Sequence, residues 1–348
     1  MTNIILSSID INTYCITGAV KNLCANKRSK LLLKSKLNVQ IKEDCIDITC
    51  DNGIDYVADI LKLAASYVGL TLEFDTEVNQ ELAAFAQRED DFRRFSALAE
   101  NIKNNNCDKN EFEYFTSVLH EYMETRHLYP LQLLSAYHLA FSQNGCNFSV
   151  PGAGKTSIVY GAYTYLKYQI KDISKHVDKI LIIGPLSSFG PWESEYEECF
   201  GRKPMCQRLS SNISKEQKKQ YFFENPRELT LISYASVVSV KEEILYYLKN
   251  NKVMVVLDEA HKIKNTSGGV TAATIMEIAQ SCTSRVVLTG TPAPNGYEDL
   301  YNLFNFIWPH NDVIKYTVGQ LRDMSRSSSE EDRRISQMMG NINPFFIR

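Results

Sequence analysis

The stretch Ser149-Val150-Pro151-Gly152-Ala153-Gly154-Lys155-Thr156-Ser157, SVPGAGKTS, decides how this chain is read. Gly152 and Gly154 let the backbone turn so that successive N–H groups point at one spot, which suits phosphate oxygens. Lys155 can reach the outer phosphates of a nucleotide, and the Thr156 hydroxyl can ligate Mg²⁺. The residues from Ile158 through Tyr165 read as a helix whose positive end faces the phosphates. Pro151 through Ser157 is therefore the candidate nucleotide-binding segment. A strand-to-helix turn rich in glycine, with no ligand, is the plainer alternative, and the rest of the chain has to decide between them.

Working outward, the 348 residues suffice for two domains, and 44% hydrophobic with 23% charged residues is ordinary for a globular protein. No run of 18 or more apolar residues occurs, so no membrane span or membrane partner is expected. The N-terminal MTNIILSSIDINTY lacks the basic and apolar regions of a secretory signal. Nine cysteines without a C-x-x-C pair read as free thiols in a reducing cytosol rather than as zinc ligands. A net charge of −3 confines any nucleic-acid contact to a local patch.

Residues 1–125 carry no recognisable motif. Leu37, Val39 and Ile41 alternate with polar residues, as do Ile46, Ile48 and Cys50, and again Leu70, Leu72 and Phe74, so each stretch reads as a half-buried strand. Asp51-Asn52-Gly53 signals a turn before a helix from Ile54 to Tyr67. Helices over 77–103 and 109–125 flank the polar break NIKNNNCDKN. The expectation is a small α+β accessory domain over 1–125 that offers a surface to protein partners. The serine-rich stretch Ser325 to Arg334 reads as a surface segment.

From about 126 the texture changes. KILIIGP (179–185), LTLISY (229–234), KVMVVLDEAH (252–261) and RVVLTGTP (285–292) are short apolar runs between helical segments. Runs this continuous suit strands covered on both faces, hence an α/β fold around a parallel sheet. Ligands of such sheets bind beyond the carboxyl ends of the strands, and each polar signature here ends one of these runs. Asp258 and Glu259 follow VMVVL directly; adjacent carboxylates at a buried strand end are costly unless they hold a metal or move protons. An acidic pair that merely starts a helix is the alternative. Thr289-Gly290-Thr291-Pro292 ends the next run, where two hydroxyls can bond the acidic motif; by itself it could equally be a turn.

Taken in order, these motifs resemble the first RecA-like lobe of a superfamily-two helicase or translocase ATPase, most closely its Swi/Snf-like branch. The resemblance runs from Leu128 to Arg348 through LYPLQ, SVPGAGKT, IIGPLSSFGPWESEYEECF, LISYASV, DEAHKIKN, LTGTPAPNGYEDLYNLFNFIWP and PFFIR. It implies a RecA-like lobe over 126–310 and a connector over 311–348 leading to a second lobe. It also implies ATP and Mg²⁺ as cofactors, with Gln132 reading adenine, and Lys155, Asp258, Glu259 and His261 in catalysis. Thr156 and Asp258 would hold the metal. His261, Thr289, Thr291 and Asn295 would couple the nucleotide site to nucleic acid, which Ser187, Ser233 and Tyr234 would face; double-stranded DNA is the implied partner.

The family usually carries Leu-Gln-Asn after its third motif, where this chain has Ala293-Pro294-Asn295. No second lobe follows Arg348 in the sequence as given, so it reads as part of a longer protein that is inactive alone. Other P-loop enzymes, an RNA helicase of the same superfamily and a non-catalytic nucleotide- or nucleic-acid-binding module remain as rival readings. The lack of basic nuclear-targeting runs fits a cytoplasmic bacterial protein acting at DNA, with genome defence as its setting.

Overall fold

The computed structural model describes residues 3–10, 12–50, 53–210, 212–224, 226–264, 269–326 and 333–348. Asp51-Asn52, Asn265 and most of the serine-rich stretch thus lie outside the described residues. The chain divides into two compact units, Met1–Arg93 and Arg94–Arg348.

The first unit contains β1 (Asn3–Asp10), β2 (Thr13–Gly18), α1 (Val20–Ala25), α2 (Lys27–Lys36), β3 (Asn38–Ile41), β4 (Ile46–Thr49), α3 (Ile54–Ser66) and β5 (Thr71–Phe74). Helix α4 (Thr76–Lys103) spans the division. The strands form one sheet in the order β3-β4-β2-β1-β5, antiparallel except for the β1–β5 pair. Side chains alternate across a strand, so Ile4, Leu6, Tyr14, Ile16, Ile46 and Ile48 share one buried face with Val57 and Leu61 of α3. The expected strands and helix are present; β1, β2, α1 and α2 add to them. Asn26 starts α2 by accepting from the N–H groups of Arg28 and Ser29.

The second unit runs through α5 (Lys109–Tyr122), α6 (Pro130–Ser142), β6 (Asn144–Asn147), α7 (Lys155–Tyr168), β7 (Lys179–Gly184), α8 (Phe189–Phe200), β8 (Cys206–Leu209) and α9 (Lys215–Phe223). It continues through β9 (Leu229–Ser233), α10 (Tyr234–Ser239), α11 (Lys241–Asn250), β10 (Val253–Leu257), α12 (Val270–Ala279), β11 (Ser284–Leu288) and α13 (Asp299–Ile307). The last elements are α14 (Val318–Arg326), α15 (Arg333–Ile342) and β12 (Phe346–Ile347). Seven strands pair in the order β12-β6-β11-β10-β7-β9-β8, all parallel. Every residue of β10 and β11 is buried, as expected for strands covered on both faces. This is the RecA-like parallel-sheet lobe.

One feature differs from the sequence reading. Helix α5 belongs with the second unit rather than with an accessory domain ending at 125. Phe115, Val118 and Leu119 are buried in the same core as Tyr137, Ile158 and Val159, and the Phe115 and Tyr137 rings meet edge-on at 5.2 Å. At the end of the segment over 311–348 the chain adds a strand to the sheet. There β12 pairs with β6, and the Phe148 N–H donates to the Ile347 carbonyl at 2.8 Å. Lys103 Nζ donates to the Phe346 carbonyl at 2.8 Å, and His138 Nε2 to that of Pro344 at 2.7 Å.

Candidate nucleotide-binding site

Parallel pairing places the carboxyl ends of β6, β11 and β10 side by side. The phosphate-loop segment, Thr289-Gly290-Thr291-Pro292 and the acidic pair follow these three strands in that order. Gly152 and Gly154 take φ of +84° and +77°, a region that favours glycine, and Gly154 starts α7. A β carbon on Gly154 would lie 2.2 Å from Gln132 Nε2, whereas one on Gly152 would meet nothing within 4 Å. The loop therefore leaves open space at Gly152 and closes on Gln132 at Gly154.

Lys155 Nζ donates to the carbonyls of Ser149 (3.0 Å) and Val150 (3.3 Å), so its ammonium folds back over the loop. Gln132 joins the loop to the start of α6. Its Nε2 donates to the Ala153 carbonyl at 3.1 Å and its Oε1 accepts from the Tyr129 N–H at 3.1 Å. Pro151 is exposed, and Thr156 is half-buried in the first turn of α7. Ser157 takes a different place from the one expected. Buried in that turn, its hydroxyl donates to Glu195 Oε1 of α8 at 2.5 Å, and Arg126 pairs with the same oxygen at 3.1 Å. It is a tie between helices.

At the end of β10, Asp258 is held by two donors. Trp192 Nε1 donates to Oδ2 and the Glu259 N–H to Oδ1, each at 3.0 Å. An oriented carboxylate on the same sheet edge as a loop that carries a hydroxyl offers hard oxygen donors of the kind that fits Mg²⁺. Glu259 adopts the left-handed conformation with φ of +50°, unusual for a non-glycine residue and a mark of functional sites. Its carboxylate is half exposed and lies 3.4 Å from His261 Nδ1. Buried Lys264 donates from Nζ to the Thr291 carbonyl, which links the acidic segment to its neighbour. Burial pulls the Lys264 ammonium below the usual lysine range.

The residues expected to couple the site to nucleic acid separate into inner and outer sets. Tyr234 is buried and its hydroxyl donates to the Asp258 carbonyl at 3.0 Å, so it braces the acidic segment rather than facing outward. Burial, and then the negative charge of Asp258, raise its phenol well above the usual range. Ser233 caps α10 by accepting from the Ser236 N–H at 3.2 Å. Thr289 is fully buried, its hydroxyl accepting from the Thr291 N–H at 3.2 Å. Ser187, Thr291 and Asn295 are exposed, and Asn295 donates from its backbone N–H to buried Asp299 at 3.0 Å. Sequence reasoning missed Glu195, Arg126 and the part played by the Trp192 ring nitrogen.

The family described as "SNF2-related domain" matches residues 92–348. Among curated proteins, the human "DNA repair and recombination protein RAD54B" is 28% identical over 214 residues, covering 57% of this chain and 22% of that protein. The "ATP-dependent helicase FUN30" of Saccharomyces cerevisiae is 28% identical over 209 residues, covering 57% and 18%. The chain thus spans about a fifth of the length of these relatives. The solved structure described as "Sulfolobus solfataricus SWI2/SNF2 ATPase core in complex with dsDNA" superposes with a TM-score of 0.50 at 21% identity. It covers 66% of this chain and 46% of the other, a likeness of fold. With its motifs on the carboxyl edge of a seven-stranded parallel sheet and the family matched over most of its length, the chain belongs to the SNF2-related domain family.

Proposed function

We propose that the second unit is the ATP-binding lobe of an ATP-dependent double-stranded DNA translocase, which hydrolyses ATP when a second RecA-like lobe completes the site. The carrying observation is the adjacency of the phosphate loop, the two threonines and the acidic pair on β6, β11 and β10.

The loop N–H groups and Lys155 bind the phosphates, and Gln132 orients the base from the loop it already grips. The Thr156 hydroxyl and Asp258 would hold Mg²⁺, which when bound neutralises phosphate charge. Glu259 accepts a proton from the attacking water. Thr291, His261 and Asn295 report the state of that edge to the nucleic acid, which Ser187 meets through backbone and hydroxyl groups; such contacts position without reading sequence. Family membership and the duplex in the Sulfolobus complex support DNA as the track. The first unit is proposed to serve protein partners, and the protein to act in the bacterial cytoplasm.

The test is phosphate release by the protein carrying both lobes, with ATP and Mg²⁺, in the presence of duplex DNA or duplex RNA of equal length. Duplex DNA is expected to stimulate release and RNA not to. Equal stimulation by RNA moves the reading to an RNA helicase. Nucleotide binding without turnover moves it to a non-catalytic module. The lobe alone is expected to bind ATP and release phosphate negligibly, since an arginine finger supplied by another element is worth about 10³–10⁵ in rate.

A further inference from the structure

The first unit lies almost entirely outside the matched family region and carries a side-chain cluster that sequence spacing conceals. Antiparallel pairing of β2 with β4 sets Cys15 directly opposite Asp47. Cys45 stands two residues before Asp47, in the Lys42–Cys45 turn that the Lys42 N–H closes on the Cys45 carbonyl at 2.9 Å. The Cys15 and Cys45 sulfurs and an Asp47 oxygen all lie within 4.8 Å of one another, and all three residues are half-buried. Strand alternation puts Cys15 and Asp47 on the sheet face opposite Tyr14, Ile16, Ile46 and Ile48, away from the core.

We propose that Cys15, Cys45 and Asp47 form a binding site for a thiophilic divalent cation of the zinc class. Two thiolates and a carboxylate are zinc ligands, and three protein ligands leave a fourth position for water. Zinc bonds of about 2.3 Å to sulfur and 2.0–2.2 Å to oxygen put tetrahedral ligand atoms roughly 3.5–4 Å apart, so small side-chain rotations close the cluster. The carboxylate is already divided for this purpose. Oδ1 faces the sulfurs, accepting from Cys45 Sγ at 3.9 Å, while Oδ2 meets Lys42 Nζ at 2.5 Å.

Charge balances as well. Uptake of M²⁺ releases the two thiol protons, leaving two thiolates, one carboxylate and the cation with a net single negative charge. The Lys42 ammonium cancels that charge from the second shell, and such outer partners tune metal sites. A disulfide is the weaker use of the pair. A diagonal pair offset by two residues has α carbons about 7–8 Å apart, beyond the usual disulfide span.

The test uses the full chain, kept reduced and stripped with a chelator, then titrated with Co²⁺ as a spectroscopic probe and with Zn²⁺ in competition. One equivalent of Co²⁺ is expected to give a thiolate-to-cobalt charge-transfer band that Zn²⁺ abolishes. Cys15→Ser and Cys45→Ser should each remove the band and weaken Zn²⁺ binding by at least about 100-fold, since even outer-shell changes cost about 10–100-fold. Cys107→Ser should leave both unchanged. Because a variant can misfold, the unmodified chain gives a second readout: Zn²⁺ should protect two thiols from a thiol reagent. Cobalt uptake without a thiolate band, a band that survives both variants, or unprotected thiols would overturn the proposal.

Discussion

Trp192 Nε1 donates a 3.0 Å hydrogen bond to Asp258 Oδ2, joining α8 to the acidic end of β10. The Tyr160 hydroxyl of α7 donates to the Trp192 carbonyl at 2.7 Å, so the phosphate-loop helix and the acidic segment share one buried aromatic brace. Trp192→Phe keeps most of the packing and removes the donor. In the proposed two-lobe protein it should lower ATPase activity about 10–100-fold and raise the Mg²⁺ concentration needed for half-maximal rate. A Mg²⁺ titration that superposes on the unmodified protein's would show that the indole does not position Asp258.

Gly154 and Gly152 share the left-handed backbone but not the surroundings. Gly154→Ala adds a collision with Gln132 to a conformational cost of about 1–2 kcal/mol, and nucleotide affinity should fall more than tenfold. Gly152→Ala bears only the conformational cost. Titration with a fluorescent ATP analogue should rank Gly154→Ala below Gly152→Ala; the reverse order would contradict the loop geometry.

Glu259→Gln exchanges the proposed base for a neutral group of the same shape, while Lys155→Ala removes the cation folded over the loop. In the proposed two-lobe protein the first should abolish turnover with ATP binding retained, and the second should weaken binding itself. Equal loss of binding in both variants would end the division of labour proposed for the two residues.

His138 makes the lobe sensitive to acid. Burial pushes the imidazole down to about 4, its Nε2 donates to the Pro344 carbonyl, and Nδ1 is buried with no partner among the described residues. In the unfolded chain the ring takes its proton near 6.5, so between about pH 6.5 and 4 the unfolded state binds more protons and stability falls as pH falls. The shift corresponds to on the order of 3 kcal/mol across that window. Urea midpoints at pH 7 and pH 4.5 should differ more for the unmodified chain than for His138→Gln.

Phe115 tests where the lobe begins. It is fully buried among residues of α6 and α7, so Phe115→Ala should cost about 3–5 kcal/mol. That loss should appear in the thermal transition that ATP stabilises. A change confined to a transition indifferent to nucleotide would return α5 to the first unit.

Much of the lobe was legible because β7, β9, β10 and β11 are apolar runs whose burial on both faces their composition announces. Strand β6 was not. NGCN is a turn-like composition, and its strand state comes from the partners β11 and β12 on either side. Asp258 and Glu259 stood out in the sequence because charge at the end of an apolar strand demands a reason, and Lys155 because it follows two closely spaced glycines at a helix start. Trp192, Tyr234 and Ser157 were harder, because the atoms that define their places come from distant elements: Asp258 lies 66 residues beyond Trp192, and Glu195 lies 38 beyond Ser157. Cys15 and Cys45 were concealed for the same reason, being neighbours only once β2 and β4 pair.

The short strand β12 carries a mechanical consequence. Because it runs parallel to β6, a pull on the main chain at Arg348 along the strand direction loads the Phe148–Ile347 bond and the Lys103 and His138 tethers together, in shear. A pull across the sheet would instead peel these attachments one after another. The attachment of β12 should therefore resist tension along the strands better than tension across them. Strand β6 leads straight into the Ser149–Ser157 loop, so load applied at β12 along the strands is passed toward that loop.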